Sequence, residues 1–122
     1  MVKTKIIVVE DDLLTADMLV ELLEAHGYEV GGIAGNVADA LTLIEEYDPE
    51  LAIVDVRLAA GDLGTSIREA LGKNHHLGIL YATGSLSLIP QTEDRRALQI
   101  SKPYNTNDIL RGLEHLERQV RP

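Results

Sequence analysis

The chain has 122 residues and a net charge of −9, with 11 Lys plus Arg against 20 Asp plus Glu. This acidic balance repels nucleic-acid phosphates, and the absence of Trp and Phe removes most aromatic surface for stacking bases, so we expect no nucleic-acid partner. The absence of cysteine suits the reducing cytoplasm. Only four apolar residues precede Glu10 after the basic start, too few for a signal peptide or a membrane span. We therefore expect one soluble, cytoplasmic domain over residues 1–122.

Short apolar runs alternate with helical patterns along the whole chain. The predicted strands cover residues 6–9, 28–34, 51–54, 78–82 and 97–100. The first and third runs, IIVV and LAIV, lack alternation, which is typical of parallel strands covered by helices on both faces. The order of elements predicts βαβ units and a doubly wound α/β fold with a parallel five-stranded sheet.

The predicted helices have apolar stripes and recognisable ends. In the first helix, Asp12 is a candidate N-cap and the predicted stripe comprises Leu14, Met18 and Leu22, flanked by Leu19 and Leu23. The second helix is predicted between residues 36 and 48, the third from about residue 65, and the last over residues 106–120. Residues 84–90 contain Gly, two Ser and Pro, so a helix there is expected to be short or mobile.

Polar residues follow four of the predicted strands. They are Glu10-Asp11-Asp12, Asp55, Thr83 and Lys102-Pro103. Because the carboxyl ends of parallel strands meet at one edge of a sheet, we expect these side chains to lie together. Clustered carboxylates favour a bound hard cation, and an all-oxygen set suits Mg²⁺, with Mn²⁺ as an alternative.

Asp55 is the candidate nucleophile of this cluster. A carboxylate can accept a phosphoryl group, and a metal ion, an ammonium and a hydroxyl can neutralise the phosphoryl oxygens. Each residue alone has a commoner explanation: an acidic helix start, a solvated strand end, a turn threonine or a surface lysine. Their conjunction at four strand ends is what favours phosphoryl transfer.

Four segments resemble the receiver domains of two-component response regulators. They read VVEDD from residue 8, IVDVRL from residue 53, ATG from residue 82 and SKPY from residue 101. The resemblance covers essentially the whole chain and implies a flavodoxin-like (βα)5 fold with strand order 2-1-3-4-5. It also implies a protein that catalyses only its own phosphorylation and dephosphorylation, and is not otherwise an enzyme.

The resemblance assigns roles to individual residues. Asp55 would be the phosphoacceptor and Asp11 a direct Mg²⁺ ligand, with Glu10 acting through water. The backbone carbonyl of Arg57 would be a further metal ligand. Thr83 and Lys102 would contact the phosphoryl group, and the Lys102–Pro103 peptide would be cis.

Two positions depart from the family pattern, and one segment indicates a subgroup. Ala59 stands where a proline is usual, and Gln99 replaces the aromatic residue that commonly switches rotamer, so switching must work otherwise. The sequence YATG from residue 81 and the residues after it resemble the FAT GUY subgroup, whose members are often stand-alone receivers paired with HWE or related histidine kinases.

The resemblance implies a sensor histidine kinase or a histidine phosphotransfer protein as one partner and an unidentified downstream protein as another. We expect docking at Leu13, Leu14, Pro103 and Tyr104, with core packing an equal alternative for Leu13 and Leu14. Phosphorylation is expected to order residues 84–90. With no effector domain expected after the last helix, a phosphate shuttle, a phosphate sink and an adaptor all stay open.

Three rival functions fit less well. A phosphatase of the haloacid dehalogenase type needs a second Asp two residues after the nucleophile, where Arg57 stands. A flavodoxin would not place Glu10-Asp11-Asp12 against a flavin phosphate. A phosphate-independent, receiver-like scaffold would not need the intact Asp55, Thr83 and Lys102.

Overall fold

The computed structural model describes residues 2–72, 75–84 and 95–120. Within these residues strands and helices alternate as predicted from the sequence, except that no helix is described between the fourth and fifth strands. The strands are β1 (Lys5–Val9), β2 (Glu29–Ala34), β3 (Leu51–Asp55), β4 (Gly78–Thr83) and β5 (Ala97–Ser101). The helices are α1 (Leu13–Ala25), α2 (Val37–Tyr47), α3 (Ser66–Leu71) and α4 (Thr106–Val120), with a 3₁₀ turn at Ala59–Gly61. The predicted short helix at residues 84–90 lies, except for Gly84, outside the described residues.

The five strands form one parallel sheet in the order β2-β1-β3-β4-β5. This confirms the predicted flavodoxin-like topology. β3 is buried throughout and β1 is buried after its first residue, because helices cover both faces of the sheet. One cluster packs Ile7 and Val54 against α2 and α3, and the other packs Ile6 and Ile53 against α1 and α4. The uninterrupted apolar runs of the sequence serve these two layers.

The apolar stripe predicted for α1 is wrong in part. Ala16, Leu19 and Leu23 are the buried residues of this helix, whereas Leu14 and Met18 are 77% and 70% exposed. Apolar residues occupy more than one helix face, so helical spacing alone did not identify the buried one. Asp12 does occupy the N-cap position, but its carboxylate accepts a hydrogen bond from the Thr15 hydroxyl (2.6 Å) and makes no side-chain bond to a backbone amide.

The last helix, α4, has the predicted bounds and stripe. Ile109, Leu113 and Leu116 are buried against the sheet. A Cβ at Gly112 would lie 2.9 Å from Leu80 Cδ1, so this glycine allows the helix to approach β4 closely. No helix within the described residues is both long and apolar enough to span a membrane.

The second helix has a well-defined start and end. The Asn36 side chain accepts a hydrogen bond from the Asp39 amide (2.8 Å), as expected of an N-cap. Asp48 ends the helix in the left-handed conformation, with φ of 51°, immediately before Pro49. Because the parallel strand β2 ends at Ala34, α2 begins beside the carboxyl edge of the sheet, where the predicted site lies.

Candidate functional site

Three carboxylates converge at the carboxyl edge of the sheet. Glu10 and Asp11 follow β1, and Asp55 ends β3; one oxygen from each lies within 4.8 Å of the others. β1 and β3 are hydrogen-bonded neighbours with Val9 opposite Val54, so the residues that follow them share one edge. Glu10 and Asp55 are buried, while Asp11 is exposed. This is the acidic pocket predicted from the sequence.

Glu10 occupies a place that disfavours its charge. Burial raises the pKa of its carboxyl to about 7, and the nearby negative charge of Asp55 adds to this effect. The Asp12 amide donates to Glu10 Oε2 (3.1 Å) and offsets part of the rise in pKa. The ionised form of Glu10 is therefore disfavoured in this pocket when no cation is bound.

Lys102 supplies positive charge to the pocket. Its Nζ lies 3.1 Å from Asp55 Oδ2, and the Arg57 amide donates to Asp55 Oδ1 (3.3 Å). Burial lowers the pKa of the Lys102 amine, but the hydrogen bond to Asp55 and the charges of Asp55 and Glu10 together outweigh burial and raise it. Lys102 is therefore held in its ammonium form beside the proposed acceptor.

The register of β3, β4 and β5 brings the remaining predicted residues to the same edge. Asp55 lies opposite Ala82, and the next residue, Thr83, is buried at the end of β4. The Lys102 amide donates to the Thr83 carbonyl (2.9 Å), which ties the start of the β5–α4 loop to β4. The Lys102–Pro103 peptide is cis, as predicted.

The donor set fits Mg²⁺. The cluster offers carboxylate oxygens, two of them on buried residues, and hard divalent cations take such ligands. A cation bound there would relieve the electrostatic cost of ionising Glu10 beside Asp55. Asp11 and Asp55 are the residues that would hold it, with Glu10 in reach through water and the Arg57 carbonyl as a further oxygen. Mn²⁺ accepts the same ligands.

Of the proposed docking residues, Leu13 and Leu14 are exposed at the start of α1, directly after the acidic pocket. The alternative that they pack in the core is wrong. Pro103 is exposed, and Tyr104 is half-buried against the cluster beneath α1 and α4. Met18, which the sequence analysis placed on the apolar stripe of this helix, instead extends the exposed apolar surface by one helical turn from Leu14.

The two departures from the family pattern lie at the site and beside it. Ala59 begins the 3₁₀ turn of the β3–α3 loop, where a proline is usual. Gln99 is exposed on β5, opposite the buried Tyr81 of β4 in the strand register. Because residue 99 is not aromatic, the usual rotamer switch at this position of the family has no counterpart at residue 99.

The loop after Asp55 contains two contributors that sequence reasoning missed. A Cβ at Gly64 would clash with the Asp55 carbonyl oxygen, and the Gly64 amide donates to the Val56 carbonyl (2.7 Å). The Asp62 carboxylate accepts a hydrogen bond from the Val37 amide at the start of α2 (2.9 Å). The glycine was a visible signal in the sequence, whereas the pairing of residues 25 positions apart was not.

A parallel 2-1-3-4-5 sheet with an acidic pocket and a lysine at its carboxyl edge defines the receiver class. Residues 6–114 match the family model of the response regulator receiver domain. The chain therefore belongs to the response regulator receiver family. Receiver domains of this family generally use Mg²⁺ and are generally phosphorylated by histidine kinases.

Individual relatives agree with this assignment. The chain is 29% identical over 115 residues to the transcriptional regulatory protein PdtaR of Mycobacterium tuberculosis, covering 93% of this chain and 56% of PdtaR. It is similar in structure to the PhyR receiver domain of Erythrobacter litoralis, with a TM-score of 0.83 and 21% sequence identity. The match covers 98% of this chain and 95% of the PhyR receiver domain. For a CheY-like receiver domain from Methanospirillum hungatei, the TM-score is 0.76 and the sequence identity is 27%, and the match covers 97% of each chain. The chain thus spans about half the length of PdtaR and nearly all of the two receiver domains.

Proposed function

We propose that this receiver domain accepts a phosphoryl group on Asp55 and passes the signal to a partner protein. The observation that carries the proposal is the pocket itself. Three carboxylate oxygens lie within 4.8 Å of one another, and the Lys102 ammonium lies 3.1 Å from Asp55. This arrangement concentrates a nucleophilic carboxylate, a cation site and a fixed positive charge at one sheet edge.

The chemistry is a transfer between two nucleophiles. An Asp55 carboxylate oxygen forms a bond to phosphorus while the bond from phosphorus to the donor's imidazole nitrogen breaks, and the leaving imidazole takes up a proton. Lys102 remains charged and pairs with a new phosphoryl oxygen, and the Thr83 hydroxyl donates a hydrogen bond to another phosphoryl oxygen. Bound Mg²⁺ would supply further neutralisation of these oxygens. Attack of water on the phosphorus then breaks its bond to the Asp55 oxygen, releases inorganic phosphate and regenerates the carboxylate.

The proposed donor is a sensor histidine kinase, a histidine phosphotransfer protein or a small-molecule phosphate, with kinases of the HWE type as candidates. We place this exchange in the cytoplasm. The protein would act as a phosphate shuttle, a phosphate sink or an adaptor, and not as an enzyme on other substrates. The FAT GUY resemblance of residues 81–84 supports the kinase type, and the missing aromatic at Gln99 supports an output route other than the usual one.

Incubation with Mg²⁺ and acetyl phosphate, followed by intact mass, tests the acceptor. The wild type should gain the mass of one phosphoryl group, and Asp55→Asn should gain none. Asp48→Asn is a matched control, because Asp48 is an exposed aspartate at the end of α2, before β3 begins. Equal gain in Asp55→Asn, or no gain in the wild type, would overturn the proposal.

The docking surface is tested by comparing two donors. We expect Leu13→Ala/Leu14→Ala to slow transfer from a phosphorylated HWE-type kinase while leaving transfer from acetyl phosphate unchanged, because only the protein donor needs an apolar surface. Val2→Ala is the control, since Val2 is also an exposed apolar residue, 91% exposed before β1. Unchanged transfer from the kinase would remove Leu13 and Leu14 from the docking surface.

The phosphatase alternative gains no support from the site. Arg57 occupies the position of its second aspartate, and the Arg57 amide donates to Asp55 instead of a carboxyl acid reaching the nucleophile from there.

A further inference from the structure

The peptide between Arg57 and Leu58 determines where the Arg57 carbonyl points. The Leu58 amide donates to the Asp62 carbonyl (2.9 Å). This peptide is trans, so its carbonyl lies on the side opposite to its N–H, away from Asp62. The direction of the oxygen proposed as a metal ligand is therefore set by the position of Asp62.

Asp62 is itself held at a second element. Its carboxylate Oδ2 accepts from the Val37 amide (2.9 Å) at the first residue of α2, and its own amide donates to the Ala59 carbonyl (3.2 Å). The first turn of a helix has free amides and a partial positive charge, so a carboxylate there is favoured. Asn36 takes a different amide, that of Asp39, so the two caps do not compete.

The residues of the turn between Ala59 and Asp62 favour its conformation only weakly. Ala60 and Gly61 both have left-handed backbones, with φ of 60° and 81°. This conformation is unfavourable for alanine, and Ala59 lacks the fixed φ of the proline usual at its position. The hydrogen bonds of Asp62 therefore stabilise a turn that its own residues favour weakly.

We propose that Asp62 is a positioning residue that aims the Arg57 carbonyl at the metal and couples metal binding to the start of α2. This inference rests on the proposed metal-dependent function of the pocket. Coupling between two sites is reciprocal, so a metal that draws in the Arg57 carbonyl also strengthens the bond between Asp62 and Val37. α2 then responds to the pocket by a route that does not use residue 99.

The first measurement is Mn²⁺ affinity by electron paramagnetic resonance, without any phosphoryl donor. Loss of a residue that hydrogen-bonds a metal ligand typically weakens metal binding about 10-fold or more. Asp62 acts on the Arg57 carbonyl only through the intervening peptide, so we expect a smaller, several-fold weakening in Asp62→Ala. Asp62→Asn should bind like the wild type, since its amide oxygen can still accept from Val37. Asn36→Ala is the matched control, because it removes a cap of the same helix without touching the loop.

The second measurement is the Val37 amide resonance during a Mg²⁺ titration of the full chain. It should shift in the wild type and in Asn36→Ala, and stay fixed in Asp62→Ala. Unchanged Mn²⁺ affinity in Asp62→Ala, equal weakening in Asn36→Ala, or a silent Val37 amide in the wild type would overturn the proposal. Neither measurement needs phosphorylation, so a failure of Asp55 to accept phosphate can be distinguished from a failure of Asp62 to affect metal binding.

Discussion

Glu10 makes the metal-free protein less stable as the pH rises. Its pKa is raised from 4.5 to about 7 in the folded state, chiefly by burial. The folded protein therefore binds the proton more tightly than the unfolded chain, and stability falls as the pH rises from about 4.5 to about 7. At about 1.4 kcal/mol for each pKa unit, ionised Glu10 destabilises the fold by at most about 3 kcal/mol above this window.

Urea unfolding followed by circular dichroism in a metal chelator measures this effect. Glu10→Gln should remove most of the loss between about pH 4.5 and about pH 7, because the amide stays neutral in both states. Glu24→Gln, at an exposed position of α1, should keep the wild-type pH dependence. A parallel loss of stability in Glu10→Gln and the wild type would show that Glu10 is not the source of the pH dependence. Excess Mg²⁺ in place of the chelator should stabilise the wild type by mass action, and more so at the higher pH.

Three further substitutions test packing near and away from the pocket by the same unfolding assay. Gly64→Ala should destabilise the protein by about 3 kcal/mol and reduce phosphorylation, because a Cβ would clash with the Asp55 carbonyl oxygen. An unchanged mass gain with acetyl phosphate would contradict the predicted loss of phosphorylation. Tyr28→Phe leaves Glu117 Oε1 without its 2.5 Å hydrogen bond and should cost about 1–2 kcal/mol. Leu113→Ala, at a fully buried position of α4, should cost about 2–5 kcal/mol without lowering Mn²⁺ affinity.

Part of the site could be predicted from the sequence because it depends on chain order. Each functional residue lies at the end of a strand or within two residues after it, and in a parallel sheet all strand ends of one kind meet at one edge. Asp55 at the end of β3 and Lys102 directly after β5 were therefore predictable as neighbours, and their 3.1 Å contact confirms it. The cis Lys102–Pro103 peptide came from the family resemblance and not from periodicity.

The rest depended on three-dimensional packing. Which face of α1 is buried was decided by its fit against the sheet, which selected Leu19 and exposed Leu14, since both faces carry apolar residues. The hydrogen bond between Asp62 and Val37 joins the β3–α3 loop to the start of α2, and only the folded sheet brings these two segments together.

The sequence by itself determined the alternation of strands and helices and the residue types at the carboxyl edge. It did so because burial on both faces requires uninterrupted apolar strands, and because strand ends carry the polar residues. Only the tertiary structure decided how strongly those residues perturb one another. The raised pKa of Glu10 arises from burial and from the nearby charge of Asp55, and both exist only once β1 and β3 lie side by side.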